Sequence, residues 1–559
     1  MKRFDEIQYE RPDFDLLEAE IGQAVTAAKN GESFEEFDEV YKEYQKVVAH
    51  SATMALILNI RSYLDGTDEE NNAEKAYVFG KMAVAGEQRI YEAVENSAYR
   101  EAFEEKYGAF LIKKQLNEKK LYEAGEEFLI RENELVTELH KCLSELKYEY
   151  NGEMVSASQI GFKKKSPDTE VRHNARYSVE KAFAENGERF GELIGELVEV
   201  RDKLAKANGF KNYLDYENIS RGRFSYGEDE LQEFCDNVKK YILPVLEKSN
   251  KKLQKELGLS EFTSYDSDIF FADGNAKPLG DEKFIREKVQ EMYDDMDPVL
   301  GDTFRKMNEN GYVDIKSTDT RITGLAFTVG IPEMRVPFIY GNFLDDAESV
   351  NDLIHESGHA MQTMLSMDSL EPQELQDPVQ DLVEIPSKSM EFISHYYAEK
   401  FFGEDADKYR KGHLTSVLDE IAGYCLFHEF ETFLYGCPGA SKQERIDKFN
   451  ELTRQYKPGV VQMHPELLDK GAGLYRNVEA IGLPRYLISY SISDLSAIYI
   501  ANEFMKDKRR GTDIFMKLGR IGGSMDYFNA ISALGLKPAF SEEVIKEAAE
   551  YLQKELGLL

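Results

Sequence analysis

Apolar side chains recur every three or four residues through most of this chain, set among Glu and Lys, and that period predicts amphipathic helices. From Asp13 to about Leu257 the pattern gives a succession of long ones, for example Phe34 to Leu64, Glu118 to Tyr148 and Val171 to Ala207. Gly and Pro are sparse there, and no fixed-period repeat points to a solenoid. Gly258 is suited to closing the preceding helix. Glu261 to Glu282 mixes Ser, Asp, Gly and Pro and reads as a surface connection, after which helical spacing resumes over Lys283 to Asn310. The one strand-like region follows. Val313 to Ile315, Gly324 to Val329 and Phe338 to Phe343 are short apolar or β-branched runs parted by Gly, Pro and polar residues. Asp345 and Asp346 can cap the next helix. Beyond it, apart from loops near Pro438, Pro458 and Gly471, helical spacing continues to Leu559. The expected fold is mainly α, with a small β-sheet pressed against the helix that starts after Asp346.

Length and charge narrow the picture. At 559 residues the chain exceeds the size at which one core stops growing, so two or three lobes are expected. The net charge of −35 argues against nucleic acid and against an anionic membrane surface, both of which would repel it. It is compatible with cationic peptides, although an acidic surface is more often just a solvated one. Cys142, Cys235, Cys425 and Cys437 are far apart and fit free thiols in a reducing compartment. No apolar stretch follows the first charged residues, and no run of some 18 apolar residues occurs, so a cytoplasmic protein is expected.

The chemistry concentrates at His355-Glu356-Ser357-Gly358-His359, which reads H-E-x-x-H. On a helix, positions i and i+4 share a face, so both imidazoles can reach one Zn²⁺ with Glu356 beside them as a general base. A catalytic zinc site needs a third protein ligand. The downstream carboxylates are Glu371, Glu374, Asp377, Asp381, Glu384 and Glu391. Those from 371 to 377 lie in a Pro-broken, loop-like stretch, whereas Glu384 lies where helical spacing returns, so spacing ranks it first without removing the others. Pro386 inside that stretch removes a backbone bond and suggests a kink beside a site.

Val336-Pro337-Phe338-Ile339-Tyr340-Gly341-Asn342-Phe343, the H-E-x-x-H and Glu384-Ile385-Pro386-Ser387 together resemble the thimet oligopeptidase and oligoendopeptidase F family of zinc metallopeptidases. Tyr9 to Asp13, Arg201 with Ala205 to Phe210, and Gly522-Gly523-Ser524 with Ala533 to Leu536 are similar to segments of its shorter bacterial members, so the likeness spans nearly the whole chain. The resemblance implies one Zn²⁺ held by His355, His359 and Glu384, with Glu356 taking a proton from the attacking water and passing it to the departing amine. It also implies two helical lobes enclosing a deep channel. An N-terminal lobe is expected over 1–200 and a catalytic lobe over 201–559, the boundary approximate and the lobes interleaved. Glu391, seven residues beyond Glu384, could orient an imidazole, or could simply lie on a solvated helix face.

Tyr486 and Tyr490, four apart on an expected helix, resemble the tyrosine pair that the family aims at the tetrahedral intermediate. Taken alone they could equally be core residues, since the chain has 32 Tyr. Family members commonly carry a His shortly before this pair, and here Arg476 to Gly482 holds none. Glu479 could occupy the position without donating, and Arg485 could act in its stead. Slower turnover or a changed preference would follow. An edge of the strand ending at Phe343 could take an extended peptide as an added strand, with Gly324 letting backbone approach. The remaining His residues read as structural or solvated, and His464 beside Pro465 as outside the site. The expected activity is internal cleavage of short unstructured peptides. The alternatives are a metallocarboxypeptidase of related architecture and a zinc-retaining peptide-binding protein.

Overall fold

The helical period between Phe34 and Leu64 is realised over that whole span as α1 (Phe34–Leu64), capped by Ser33, which accepts from the Glu36 amide. Its buried face carries Phe37, Tyr41, Tyr44 and Val48, which pack with Ile90, Tyr91 and Val94 of α2 (Gln88–Glu95) and with Phe103 and Tyr107. The computed structural model describes residues 2–559 other than 84, 319, 323 and 324, and every side chain among them except those of Ser158 and Glu479.

The other two long periodic stretches break, each for a local reason. The Glu118 to Tyr148 pattern is interrupted after Tyr122 because Gly125 takes the left-handed conformation, φ 79°, and the chain restarts as α3 (Glu126–Glu145). The Val171 to Ala207 pattern divides into α4 (Thr169–Glu185) and α5 (Gly187–Ala207). Between them Asn186 turns its side-chain amide onto the Ala182 carbonyl at 2.8 Å, the competition with helical bonding that Asn is suited to. A short helix, α6 (Tyr213–Ser220), follows. Gly258 does close its helix: it stands at φ 66°, and the Leu259 amide bonds back to Gln254 O at 2.9 Å.

A hairpin of Tyr148–Tyr150 with Glu153–Val155 was not expected from the apolar pattern. Its signal was the turn, Asn151-Gly152, both at positive φ as a two-residue hairpin loop requires. In the expected strand region β1 (Val313–Asp314), β2 (Phe327–Ile331) and β3 (Val336–Tyr340) form a sheet in the order β1-β3-β2. β1 runs parallel to β3; β2 is antiparallel, with Phe327 opposite Tyr340 and Ile331 opposite Val336. The third strand therefore starts before Phe338 and does not reach Phe343, and it is central and buried throughout. The strand expected to present an edge is therefore not an edge strand; the edge strands of this sheet are β1 and β2. Pro337 is tolerated in the centre because the Ile339 and Gly341 amides face the β1 side, where β1 extends only opposite Ile339 and Tyr340.

Four helices complete the framework of interest: α7 (Ala347–Ser369), α8 (Gln380–Ile393), α9 (Ala406–Gly436) and α10 (Ile488–Lys506), the last followed by α11 (Lys508–Ile521). Asp346 caps α7, accepting from the Ser349 amide at 2.9 Å. The chain groups into two units, each drawn from three stretches. One comprises Met1–Lys119, Lys277–Glu404 and Ala497–Leu536, and holds the three-stranded sheet with α7, α8 and α11. The other comprises Lys120–Ala276, Asp405–Ser496 and Lys537–Leu559. The fold is mainly α with small sheets, and among the described residues no helix is long and apolar enough to cross a membrane.

Candidate active site

His355 and His359 stand one turn apart on α7 with their rings 4.9 Å apart, edge to face. Their Nε2 atoms are 3.2 Å from each other, and Glu384 Oε2 of α8 is 3.2 Å from the first and 3.1 Å from the second. The carboxylate reaches this point because α7 and α8 meet backbone to backbone. A methyl group on Gly358 would lie 2.7 Å from Ser387 Cα and 2.8 Å from Pro386 O. Ser387 Oγ then donates to Glu384 Oε2 at 2.9 Å and fixes the carboxylate.

Three donor atoms at these separations fit one small cation. Ligands about 2.0–2.1 Å from a tetrahedral zinc stand about 3.3–3.4 Å from one another, close to the spacing of the triad. Two imidazole nitrogens and one carboxylate oxygen also suit zinc chemically. Of the six carboxylates considered from the sequence, Glu384 is the one that joins both imidazoles among the described residues. Glu374 is engaged elsewhere, bonded by Tyr44, Gln45 and Tyr91, and Asp381 is fully buried in the first turn of α8.

The surroundings orient the triad. Glu391 Oε1 lies 2.6 Å from His355 Nδ1, leaving Nε2 to face the donor cluster, and Lys388 Nζ lies 3.5 Å from the same carboxylate oxygen. Burial opposes a proton on His355, but Glu384 and Glu391 outweigh it and hold its pKa well above the ordinary value. Burial likewise pushes against charge on Glu384, yet His359 and His355 draw it well below the usual carboxylate range. Glu356, 6% exposed, differs: burial raises its pKa and the two imidazoles only partly offset this. Thr328 of the edge strand β2 donates to Glu356 Oε2 at 2.8 Å. Tyr293 holds the same turn of α7, its hydroxyl 2.7 Å from Ser357 Oγ. Neither Thr328 nor Tyr293 had a signal in the sequence, since both act through tertiary contact.

In the second unit, Tyr490 lies in the first turn of α10, but Tyr486 precedes the helix, in the turn that leads into it. The expectation of one helix carrying both is corrected accordingly. Pro484 and the left-handed Arg485, φ 58°, delay the helix start. The two rings still meet edge to face at 5.4 Å, and Tyr490 packs on Tyr424 of α9 at 5.3 Å. Arg485 cannot serve as a donor to substrate. It is fully buried, and its guanidinium is taken by Glu228, His428 O and Thr432 Oγ1. His464 bonds Glu466 and packs against Tyr177 and Tyr265. Gly324 and the Glu479 side chain lie outside the described residues.

A mainly helical protein with two imidazoles and a carboxylate gathered beside a further buried Glu has the layout of a mononuclear metallohydrolase. The comparisons specify it. Residues 162–550 match the model of peptidase family M3, and residues 4–122 match that of the peptidase M3 N-terminal domain, so the chain belongs to peptidase family M3. Its fold is similar to that of PZ peptidase A solved with an inhibitor, at 28% identity and TM-score 0.91, covering 100% of this chain and 99% of that one. It is similar to a candidate oligoendopeptidase F at 27% identity and TM-score 0.93, with the same coverage. A third similar structure is a candidate oligoendopeptidase F from Bacillus anthracis strain Ames, at 25% identity and TM-score 0.87, covering 100% and 99% of the two chains. No curated protein matches the chain.

Proposed function

We propose that this metallopeptidase is a zinc-dependent oligoendopeptidase that hydrolyses internal bonds of short unstructured peptides. The observation that carries this reading is the convergence of His355, His359 and Glu384 at 3.1–3.2 Å beside the buried Glu356. The similarity to oligoendopeptidase F structures supports the substrate class.

His355, His359 and Glu384 would hold the ion. Bound there, Zn²⁺ supplies Lewis acidity, polarising a peptide carbonyl and lowering the pKa of water toward neutrality. Glu356 takes a proton from the attacking water and returns it to the departing amine. Thr328 keeps the carboxylate turned one way. Glu391 fixes the His355 ring through Nδ1. Tyr486 and Tyr490 donate to the oxyanion of the tetrahedral intermediate. The edge of β2 is where an extended peptide adds as a further strand, its main chain bonded without regard to sequence.

The test is digestion of a mixture of free, N-blocked and C-terminally amidated peptides by the zinc-loaded protein and by Glu356→Gln, with products read by mass spectrometry. Internal cuts by the wild type and a loss of at least about 100-fold in Glu356→Gln are expected. Cleavage confined to the last bond of peptides with a free C-terminus would replace the endopeptidase with a carboxypeptidase. Zinc retention with no cleavage of any peptide would leave a binding protein.

A further inference from the structure

The backbone from Ile481 to Ser489 carries Tyr486 and bends at Arg485, a non-glycine residue in the left-handed region. Such a bend persists only where its surroundings over-determine it. Here arginines do so, one carbonyl at a time. Arg201 of α5 donates to Ile481 O at 2.6 Å, and Arg221, just past α6, donates from Nε to Pro484 O at 3.0 Å. Arg223 donates to Arg485 O at 3.0 Å and to Ser489 Oγ at 3.2 Å. Glu431 accepts the Arg485 amide at 2.9 Å.

Arg201 and Arg223 are buried and hold the turn through these carbonyls. Arg221 touches the tyrosine as well as the turn. Its Cζ lies 5.6 Å from the centroid, over the Tyr486 ring, while Glu217 braces its Nη2 at 2.9 Å. One planar cation therefore fixes both the carbonyl two residues before Tyr486 and the face of the phenol. A lysine ammonium can make either contact but lacks the flat fork that makes both.

We propose that Arg221 is a positioning residue for Tyr486, restricting the ring so that its hydroxyl is presented in one orientation. The proposal rests on the reading that Tyr486 donates to the reacting carbonyl. Arg221 does not itself meet substrate in this account. Its effect reaches the reaction through the tyrosine, so the two side chains must be coupled energetically.

A double-variant cycle on the zinc-loaded enzyme tests this, with kcat, KM, zinc content and thermal midpoint measured for Tyr486→Phe, Arg221→Ala, Arg221→Lys and Arg221→Ala/Tyr486→Phe. Arg221→Ala should lower kcat by about 10-fold with KM changed less than about twofold, below the roughly 100-fold that a full 1 Å misplacement can cost. Arg221→Lys should fall between the alanine variant and the wild type. In the Tyr486→Phe background, Arg221→Ala should lower kcat by less than about twofold more, as for groups that act as a unit. The proposal is overturned if Arg221→Ala carries its full penalty in that background too, or if it leaves kcat unchanged while Tyr486→Phe is slow. An unchanged kcat in Tyr486→Phe would sink the tyrosine reading, and the proposal with it. Should Arg221→Ala not fold, Arg221→Lys and Arg221→Lys/Tyr486→Phe complete the same cycle.

Discussion

At the scale of single residues, Gly358 matters as much as the histidines around it. Its hydrogen is what lets α7 and α8 touch through their backbones, and that approach carries Glu384 to the two imidazoles. Gly358→Ala would have to push Ser387 and the Pro386 carbonyl away, at a stability cost of about 1–3 kcal/mol for overpacking. The displacement would fall on the helix that bears Glu384, so zinc affinity should drop by about 10- to 100-fold, as for loss of an orienting partner. Competition of the folded variant against a chromogenic chelator measures this; wild-type affinity would show that the close approach is not what sets the triad. Glu391→Ala should weaken zinc to a similar extent by freeing the His355 ring, whereas Glu391→Gln, which can still accept from Nδ1, should lose less. H-E-x-x-H was legible in the sequence because its spacing is local. The glycine's partner was not, because Ser387 meets Gly358 only once two helices have packed.

At the scale of elements, the connection between α7 and α8 is pinned as firmly as the helices. Glu374, in the short turn Gln373–Leu375, is held by Tyr44 and Gln45 of α1 and by Tyr91 of α2. Lys114 adds a bond to the Glu374 carbonyl at 2.8 Å. Glu374→Ala removes an acceptor shared by three donors and should cost about 1 kcal/mol, since Tyr44 keeps Glu87 while Gln45 and Tyr91 keep Tyr41. A thermal midpoint equal to the wild type would show the clamp to be incidental. Sequence pattern located α1 to the residue and the strands to within a few positions, because burial repeats with the backbone period. It ran through the breaks at Gly125 and Asn186, because each new helix keeps its apolar face turned inward. It also gave β3 an edge, whereas the edge strands are β1 and β2, since strand order is settled by pairing partners that lie apart along the chain.

At the scale of the whole molecule, charge sets how stability responds to pH. The net charge of −35 makes the folded state repel itself, so the apparent melting temperature should rise between roughly 0.02 and 0.2 M NaCl as screening shortens that repulsion. Buried carboxyls add a steeper dependence. Glu431 is 2% exposed, and burial pushes its pKa up to about 7, with Arg485 opposing. Between the unfolded value of about 4.5 and 7, the native state keeps a proton that the unfolded chain has released. That contribution is complete at low pH and is lost as pH rises through 7, with an upper bound of about 3 kcal/mol. His428 works in the other direction. Burial, with Arg485 and Arg223 nearby, holds its pKa well below 6.5, so its contribution is present above that value and fades on acidification. Stability should therefore pass through a maximum in mildly acidic buffer and decline toward pH 8. Glu431→Gln isolates one limb, because glutamine mimics the protonated acid and can still accept the Arg485 amide. Melting at constant ionic strength should show variant and wild type alike near pH 5 and the variant higher at pH 8. An offset of the same size at every pH would mean that Glu431 titrates alike in the folded and unfolded chains, and the decline would then belong to other buried carboxyls such as Asp352 and Glu87 and to the net charge.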